Sequence, residues 1–300
     1  MSIKSILCVF SGEVQELNVV STAFTLTRAS HAALRVLHIA NPPLSYIDAM
    51  GVPSFAQMAY GDGTTMERLE QEERDLSRAA EDYVTDMAER DGVPFHSDGS
   101  AYDSVAGQAH ATLRVHTAKV ADCLPIEARS VDLVICGYDN RSDGYLDTVL
   151  TALLQTERPV LALPRNPGSV LSTNGYAKTV VIAWDGSQAA SRALREAVPH
   201  MLHASEVYLL CIQDADERRD PELEADVIAY LRSHCIAAQW IHAPCGVTPI
   251  GEQLLSRAER LEAELLVMGA YGHGHISEML LGGVTDYVLK HSRIPLLLTH

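Results

Sequence analysis

The chain has 300 residues, of which 47% are hydrophobic and 21% are charged, a balance that supports packed cores and argues against a disordered polypeptide. Its 23 basic and 39 acidic residues give a formal net charge of −16, which argues against binding to nucleic acid or to anionic membranes. The length favours two domains.

Cysteine usage and hydropathy indicate the compartment. None of the six cysteines forms a C-x-x-C pair, and Cys8, Cys136 and Cys211 lie inside apolar runs, which fits a reducing environment. Met1–Phe10 is too short for a signal peptide, and no run approaches the roughly 18 apolar residues of a membrane span. We therefore expect a soluble, cytoplasmic protein.

Short, continuous apolar runs predict strands, and they occur twice in the same order. In the first half they are Ile6–Gly12, Leu34–Ile39, Val131–Gly137 and Arg158–Leu163. Their counterparts in the second half are Val180–Gly186, Val207–Ile212, Ala263–Gly269 and Ile294–Thr299. One further strand is predicted in each half, near Pro94–Ser97 and Ala238–Ala243. Such order indicates an internal repeat.

Helical patterns separate these strands. The predicted helices are Val14–Ser30, Thr64–Arg90, Ser104–Ala121, Tyr145–Thr156, Ser187–His203, Pro221–Cys235, Thr248–Leu261 and Val284–His291. Apolar strands that alternate with helices are typical of parallel sheets covered on both faces. The predicted fold class is therefore α/β, with two tandem doubly wound (Rossmann-like) domains, each built on a five-stranded parallel sheet.

The predicted domains are residues 1–165 and 177–300, joined by a polar linker over Pro164–Tyr176. The first domain carries an extra segment, Asn41–Gly63, that is rich in proline, methionine and aromatic residues. This segment is either a lid or partner surface, or an irregular loop packed on its own domain.

A glycine-rich stretch between the last two strands is the main candidate site. Its glycines are spaced G-x2-G-x9-G-G, at Gly269, Gly272, Gly282 and Gly283, and a predicted helix follows at Val284. Glycine lets backbone N–H groups approach an anion closely, and a helix N-terminus adds further donors. The stretch is therefore either a phosphate cradle or a loop that needs glycine for packing.

This spacing resembles the nucleotide-binding signature of the universal stress protein family, G-x2-G-x9-G followed by Ser or Thr. Gly283 departs from it, because it stands where the family has a hydroxyl. The resemblance implies ATP as ligand, with positions matching Asp185 and Ile212 at the adenosine, and with the glycines and the following helix at the ribose and phosphates. The predicted binding set is Ala183, Trp184, Asp185, Ile212, Met268, Gly269, Gly272, His273, Gly282, Gly283, Val284 and Thr285.

Several members of this set have other interpretations. Asp185 could hydrogen-bond an adenosine or hold a metal, and we expect it also to cap the helix that starts near Ser187, which is a common role of aspartate. Trp184 could narrow the site or stack on the base, and the Thr285 hydroxyl could partly replace the one missing at Gly283. His273 could contact phosphate or be an exposed loop residue.

The first half lacks the pattern. Ser11 stands at the position of Asp185, Asn140 replaces the second glycine, and Leu146 and Asp147 stand opposite Gly282 and Gly283. A carboxylate there repels phosphate, so we expect this half to be a degenerate, structural domain or else a site for something uncharged. His110 and His116 are six residues apart on a predicted helix and would not share a face as a metal pair.

The resulting prediction is a regulatory, ATP-binding stress-response protein with its nucleotide site in the second domain, with or without Mg²⁺. Two alternatives stay open: a slow ATP hydrolase or phosphoryl transferase that uses Asp185 and Mg²⁺, and a nucleotide-free interaction protein. The expected partners are adenine nucleotide and an unidentified protein. The two halves are expected to pair as an intrachain pseudo-dimer, and a homodimer is the other expectation.

Overall fold

A computed structural model describes residues 2–40, 64–97, 107–138, 143–165, 171, 175–213, 220–270 and 283–300. The predictions for Asn41–Gly63, Gly272, His273 and Gly282 lie outside these ranges. Within them, none of the helices combines the length and the apolar character that crossing a bilayer demands.

Backbone contacts divide the chain into two compact units. The first unit is Lys4–Val131, and the second comprises Met1–Ile3 with Asp132–His300. This division falls earlier in the chain than the predicted linker. The predicted domains, 1–165 and 177–300, follow the sequence repeat and stay a prediction.

The first unit is a parallel sheet with helices packed on it. Its strands, in the spatial order β3-β4-β2-β1, are β1 (Ser5–Val9), β2 (Ala33–Ala40), β3 (Phe95–His96) and β4 (His110–Thr117). Its helices are α1 (Leu17–Ser30), α2 (Thr64–Asp91) and α3 (Val120–Glu127), with short 3-10 turns at Val14–Glu16 and Ala128–Ser130. The predicted helices Val14–Ser30 and Thr64–Arg90 are thus confirmed to within a few residues.

The prediction of a helix over Ser104–Ala121 is wrong. All eight residues of β4 pair with β2, from Ala33 opposite His110 to Ala40 opposite Thr117. The stretch alternates polar residues with small or β-branched ones, and β-branched residues favour strands. His110 and His116 therefore lie on one face of a strand, roughly 20 Å apart at about 3.3 Å per residue, which is too far for a shared metal.

In the described part of the second unit, seven strands lie in the order β5-β6-β11-β10-β7-β8-β9. They are β5 (Leu133–Tyr138), β6 (Val160–Pro164), β7 (Thr179–Ala183), β8 (Glu206–Gln213), β9 (Gln239–Pro244), β10 (Leu265–Gly269) and β11 (Leu296–Thr299). The helices are α4 (Asp143–Gln155), α5 (Gln188–Glu196), α6 (Val198–Met201), α7 (Pro221–Ser233), α8 (Ile250–Arg260) and α9 (Gly283–His291).

Strands β7 to β11 form the five-stranded parallel sheet predicted for the second half. Strand β5 is parallel to β6, whereas β6 and β11 pair in the antiparallel sense. The first half contributes six strands rather than the predicted five, because β4 replaces a helix. The predicted α/β class, with helices alternating along mostly parallel strands, is confirmed.

The core of the second unit lies in the middle of this sheet. Val180, Val181 and Ile182 of β7 are fully buried, as are Leu265, Leu266 and Val267 of β10. Continuous apolar runs are what a strand covered on both faces requires. The residues that follow these strands are therefore held at a rigid edge.

Candidate functional site

The candidate site lies where the chain reverses its direction across the sheet. Strand β7 pairs with β8 on one side and with β10 on the other, so the chain moves outward through β8 and β9 and then returns. Asp185, Ile212 and Gly269 lie at the carboxyl ends of β7, β8 and β10. In open α/β sheets, ligands bind at this switch point.

Asp185 shapes the turn after β7. Its Oδ1 accepts a hydrogen bond from the Ser187 backbone N–H at 2.9 Å, and Gly186 between them has a φ of +77°. The N-cap of α5 is Ser187, whose Oγ accepts from the Ala190 N–H at 3.1 Å. The prediction that Asp185 also caps the helix is therefore wrong, and its exposed carboxylate stands at the edge of the sheet.

Trp184 lies beneath this edge rather than on it. Its side chain is 7% exposed and meets the Trp240 ring edge-on, with ring centroids 6.0 Å apart and an angle of 78° between the planes. Its backbone N–H donates to the Leu210 carbonyl at 2.9 Å, which ties the end of β7 to β8. Ala183 and Ile212 are half-buried beside it.

Gly269 ends β10 against the first turn of α5. A Cβ at this position would lie 2.7 Å from the Cβ of Ala189 and closer still to its backbone. Real Cβ atoms do not approach that closely, so glycine is required for the helix to pack here. Met268 next to it is 4% exposed and belongs to the core.

Gly283 begins α9 and is exposed, and a Cβ added to it would have no atom within 4 Å. Its φ lies outside the left-handed region, so any residue could adopt this backbone. Val284 is half-buried, and Thr285 is only 4% exposed. The structure thus places Thr285 within the packed side of the helix.

Two residues that sequence reasoning missed hold the start of α8 and position α9. Gln253 accepts from the Gly246 N–H at 2.9 Å and donates to the Thr248 carbonyl at 2.7 Å. Gly251 touches α9 closely, since a Cβ there would lie 2.8 Å from the Cβ of Tyr287. The sequence did contain a signal for this contact, because Gly251 lies inside a predicted helix, where glycine often marks close packing.

The equivalent turn of the first unit is closed by its own side chains. The buried Glu16 carboxylate accepts from both the backbone N–H and the hydroxyl of Ser11, at 2.9 and 2.6 Å. Gly12 has a φ of +86°, and a Cβ on it would overlap the Leu76 carbonyl of α2. Helix α2 therefore packs directly on the turn that corresponds to Asp185–Gly186.

A metal site is not apparent in the described part of the chain, which contains no group of three or more His, Cys, Asp or Glu residues suited to hold an ion.

Comparisons with known proteins found a sequence similarity to one family and a structural similarity to solved proteins. Residues 245–300 match the sequence profile of the universal stress protein family. No protein of curated function matches the sequence. The matched residues cover α8, β10, α9 and β11, which include Gly269 and Gly283.

Among solved structures, a universal stress protein from Archaeoglobus fulgidus DSM 4304 covers 99% of this chain and 96% of its own, with 15% identity and a TM-score of 0.69. A candidate universal stress protein from Pseudomonas aeruginosa UCBPP-PA14 covers 99% and 93%, with 15% identity and a TM-score of 0.50. A universal stress protein in complex with cAMP covers 42% and 98%, with 23% identity and a TM-score of 0.34.

The resemblance to universal stress proteins is thereby confirmed: residues 245–300 match the family's sequence profile, and the whole chain shares the fold of a solved universal stress protein of similar length.

Proposed function

We propose that this protein binds an adenine nucleotide, with ATP as the expected ligand, at the carboxyl edge of β7, β8 and β10, and that it acts as a regulatory stress-response protein. The observation that carries the proposal is the switch point between β7 and β10. Asp185 lies at this point, and so does Gly269, the first glycine of the spacing that resembles the family's signature.

The residues present suit the two ends of such a ligand. Asp185 offers a carboxylate for ribose hydroxyls, and the half-buried Ile212 offers an apolar surface for the base. Gly283 opens a nine-residue helix, whose first N–H groups attract phosphate oxygens. Backbone donors of this kind are needed because the net charge of −16 opposes a free anion.

One nucleotide per chain is the expected stoichiometry. In the first unit, the Glu16 carboxylate already takes the Ser11 N–H, and helix α2 packs on Gly12. A second anion at that turn would meet a buried negative charge and an occupied donor. This supports binding in the second half only.

Variants of Asp185 distinguish a role in ligand binding from a role in shaping the turn. Asp185→Asn keeps an Oδ1 acceptor for the Ser187 N–H but loses the charge, whereas Asp185→Ala loses both. We expect Asn to leave the melting temperature unchanged and to weaken ATP binding. Equal ATP affinity in wild type and both variants, measured by calorimetry, would remove Asp185 from the site.

Two measurements distinguish the alternatives. Mass spectrometry of the ligand released from the purified protein should identify an adenine nucleotide, whereas a protein that carries none and binds none in titrations is an interaction protein. Turnover of labelled ATP with Mg²⁺ should be negligible under the regulatory proposal. Steady release of phosphate that Asp185→Asn abolishes would instead establish the hydrolase.

A further inference from the structure

The loop between β9 and α8, residues 245–249, lies at the same edge of the sheet as the proposed nucleotide site. The Cys245 backbone N–H donates to the carbonyl of Gln213, the last residue of β8, at 2.8 Å. Beyond the loop, Gly251 in the first turn of α8 packs against Tyr287 of α9. The loop therefore connects a contact with the end of β8, where the base is proposed to lie, to a contact with the helix proposed to hold the phosphates.

One buried side chain holds the backbone of this loop in place. Gln253 is 8% exposed, and its Oε1 accepts from the Gly246 N–H at 2.9 Å. Its Nε2 donates to the Thr248 carbonyl at 2.7 Å. These two hydrogen bonds lie on either side of Val247 in the chain. The backbone of Val247 is therefore fixed from both sides, which sets the direction of its side chain.

This fixed backbone presents apolar side chains to solvent. Val247 is fully exposed, and Ile250, three residues further on at the start of α8, is 44% exposed. Two steps of about 3.8 Å between consecutive Cα atoms keep Val247 within about 8 Å of Cys245, and so near the end of β8. The half-buried Ile212 lies at that end. Apolar side chains therefore gather around the place proposed for the base.

The size of this patch suits a small ligand better than a protein. A specific protein interface buries about 800 Å² on each partner, far more than Val247 and Ile250 supply. An aromatic ring system buries roughly 150–250 Å², which a few apolar side chains can cover. Single exposed apolar residues are ordinary on protein surfaces, so the argument depends on where the loop holds this valine.

We infer that Val247, supported by Ile250, packs on the nucleotide base and makes the site select purines. This inference rests on the proposed function, because it needs a nucleotide at the β7–β10 switch point. Ile212 covers one side of the base, and Val247 covers the other. A two-ring purine buries more apolar surface between them than a one-ring pyrimidine does, so the contact favours ATP over CTP.

The first test is a calorimetric titration of ATP and of CTP. Val247→Ser removes apolar surface at an exposed position whose φ is not left-handed, so the fold should be kept. We expect about fivefold weaker binding of ATP and less than about twofold weaker binding of CTP. Val14→Ser, at a valine that is 61% exposed in the first unit, is the matched control and should leave both affinities unchanged.

The outcomes separate this inference from the proposed function. A wild-type protein that binds neither ATP nor AMP would overturn both. ATP binding that is present in wild type and unchanged in Val247→Ser would overturn the role of Val247 alone. Equal weakening of ATP and CTP would show that Val247 does not select purines.

A second test uses the cysteine that begins the loop. Cys245 is half-buried, and Cys235, which follows α7, is exposed and serves as the internal control. We expect saturating ATP to slow alkylation of Cys245 by iodoacetamide and to leave the rate at Cys235 unchanged, as followed by mass spectrometry. Unchanged alkylation of Cys245 in a protein that calorimetry shows to be saturated with ATP would overturn the placement of the base beside this loop.

Discussion

Leu161 of β6 lies directly opposite Leu297 of β11, and these two residues occupy the same position in the internal repeat. On either side, Leu296 faces Ala162 and Leu298 faces Val160. The two closing strands are therefore related by a local twofold axis through the Leu161–Leu297 pair. Each strand covers an edge that the other would leave open, which protects both from pairing with foreign chains.

Leu161 and Leu297 should contribute about equally to the stability of the protein. Leu161 and Leu297 are both fully buried, so Leu161→Ala and Leu297→Ala should each lower the free energy of unfolding by about 3 kcal/mol. Urea denaturation measures the loss. Leu154→Ala, at a leucine that is 40% exposed, is the control and should cost less than about 0.5 kcal/mol. Comparable losses at all three positions would show that the pair has no special weight.

A methyl group added at Gly269 and one added at Gly283 should have opposite effects on stability. Gly269→Ala brings a Cβ into Ala189, so we expect about 1–3 kcal/mol of destabilisation and weaker ATP binding. Gly283→Ala has open space and an ordinary φ at the start of a helix, so stability should be kept or slightly raised. The melting temperatures of both variants test this difference. A Gly269→Ala protein that melts at the wild-type temperature would contradict it.

Gly283→Ser tests what the missing hydroxyl does. Because the position is sterically open and its φ is not left-handed, serine fits without strain. One added hydrogen bond to a distal phosphate should tighten ATP binding by about 1 kcal/mol, roughly fivefold in affinity, with little effect on AMP. Calorimetry with both nucleotides, and with Gly283→Ala as the matched variant, measures this. Equal changes for ATP and AMP would show that residue 283 does not address the outer phosphates.

Stability should fall in acid partly through His200. Burial of the imidazole, with a smaller contribution from His203, lowers its pKa from 6.5 to about 4 in the folded protein. The unfolded chain therefore takes up a proton first as the pH drops. The stabilising contribution is complete above pH 6.5, is lost progressively towards pH 4, and amounts to roughly 3 kcal/mol over that range. Urea denaturation from pH 7 to pH 4.5 should show a shallower decline for His200→Gln than for wild type.

The exposed His96 provides the control for this pH effect. His96→Gln should follow the wild-type decline. A His200→Gln protein whose stability falls as steeply as that of wild type would mean that the buried imidazole does not drive the acid loss.

Much of the fold could be predicted from local patterns. Runs such as Val180–Ile182 and Leu265–Val267 are buried on both faces, and their apolar continuity is visible in the sequence. The glycine at position 269 was also visible, although its contact with Ala189 was not. These features depend on short stretches of chain, which is why they could be anticipated.

What depends on distant partners could not be predicted. Strand β4 carries histidine and arginine among its residues and resembles a polar helix until β2 is known to lie beside it. The packing of the Leu76 carbonyl of α2 against Gly12 is such a case, because the two residues are far apart in the chain.

The most direct test of the central claim is a calorimetric titration of the nucleotide-free protein with ATP. Binding at the β7–β10 switch point, with the first-unit turn closed by Glu16 and α2, predicts one site per chain that is lost in Gly272→Val and Gly282→Val while the fold persists. Two equivalent sites per chain, or wild-type affinity in both glycine variants, would contradict it.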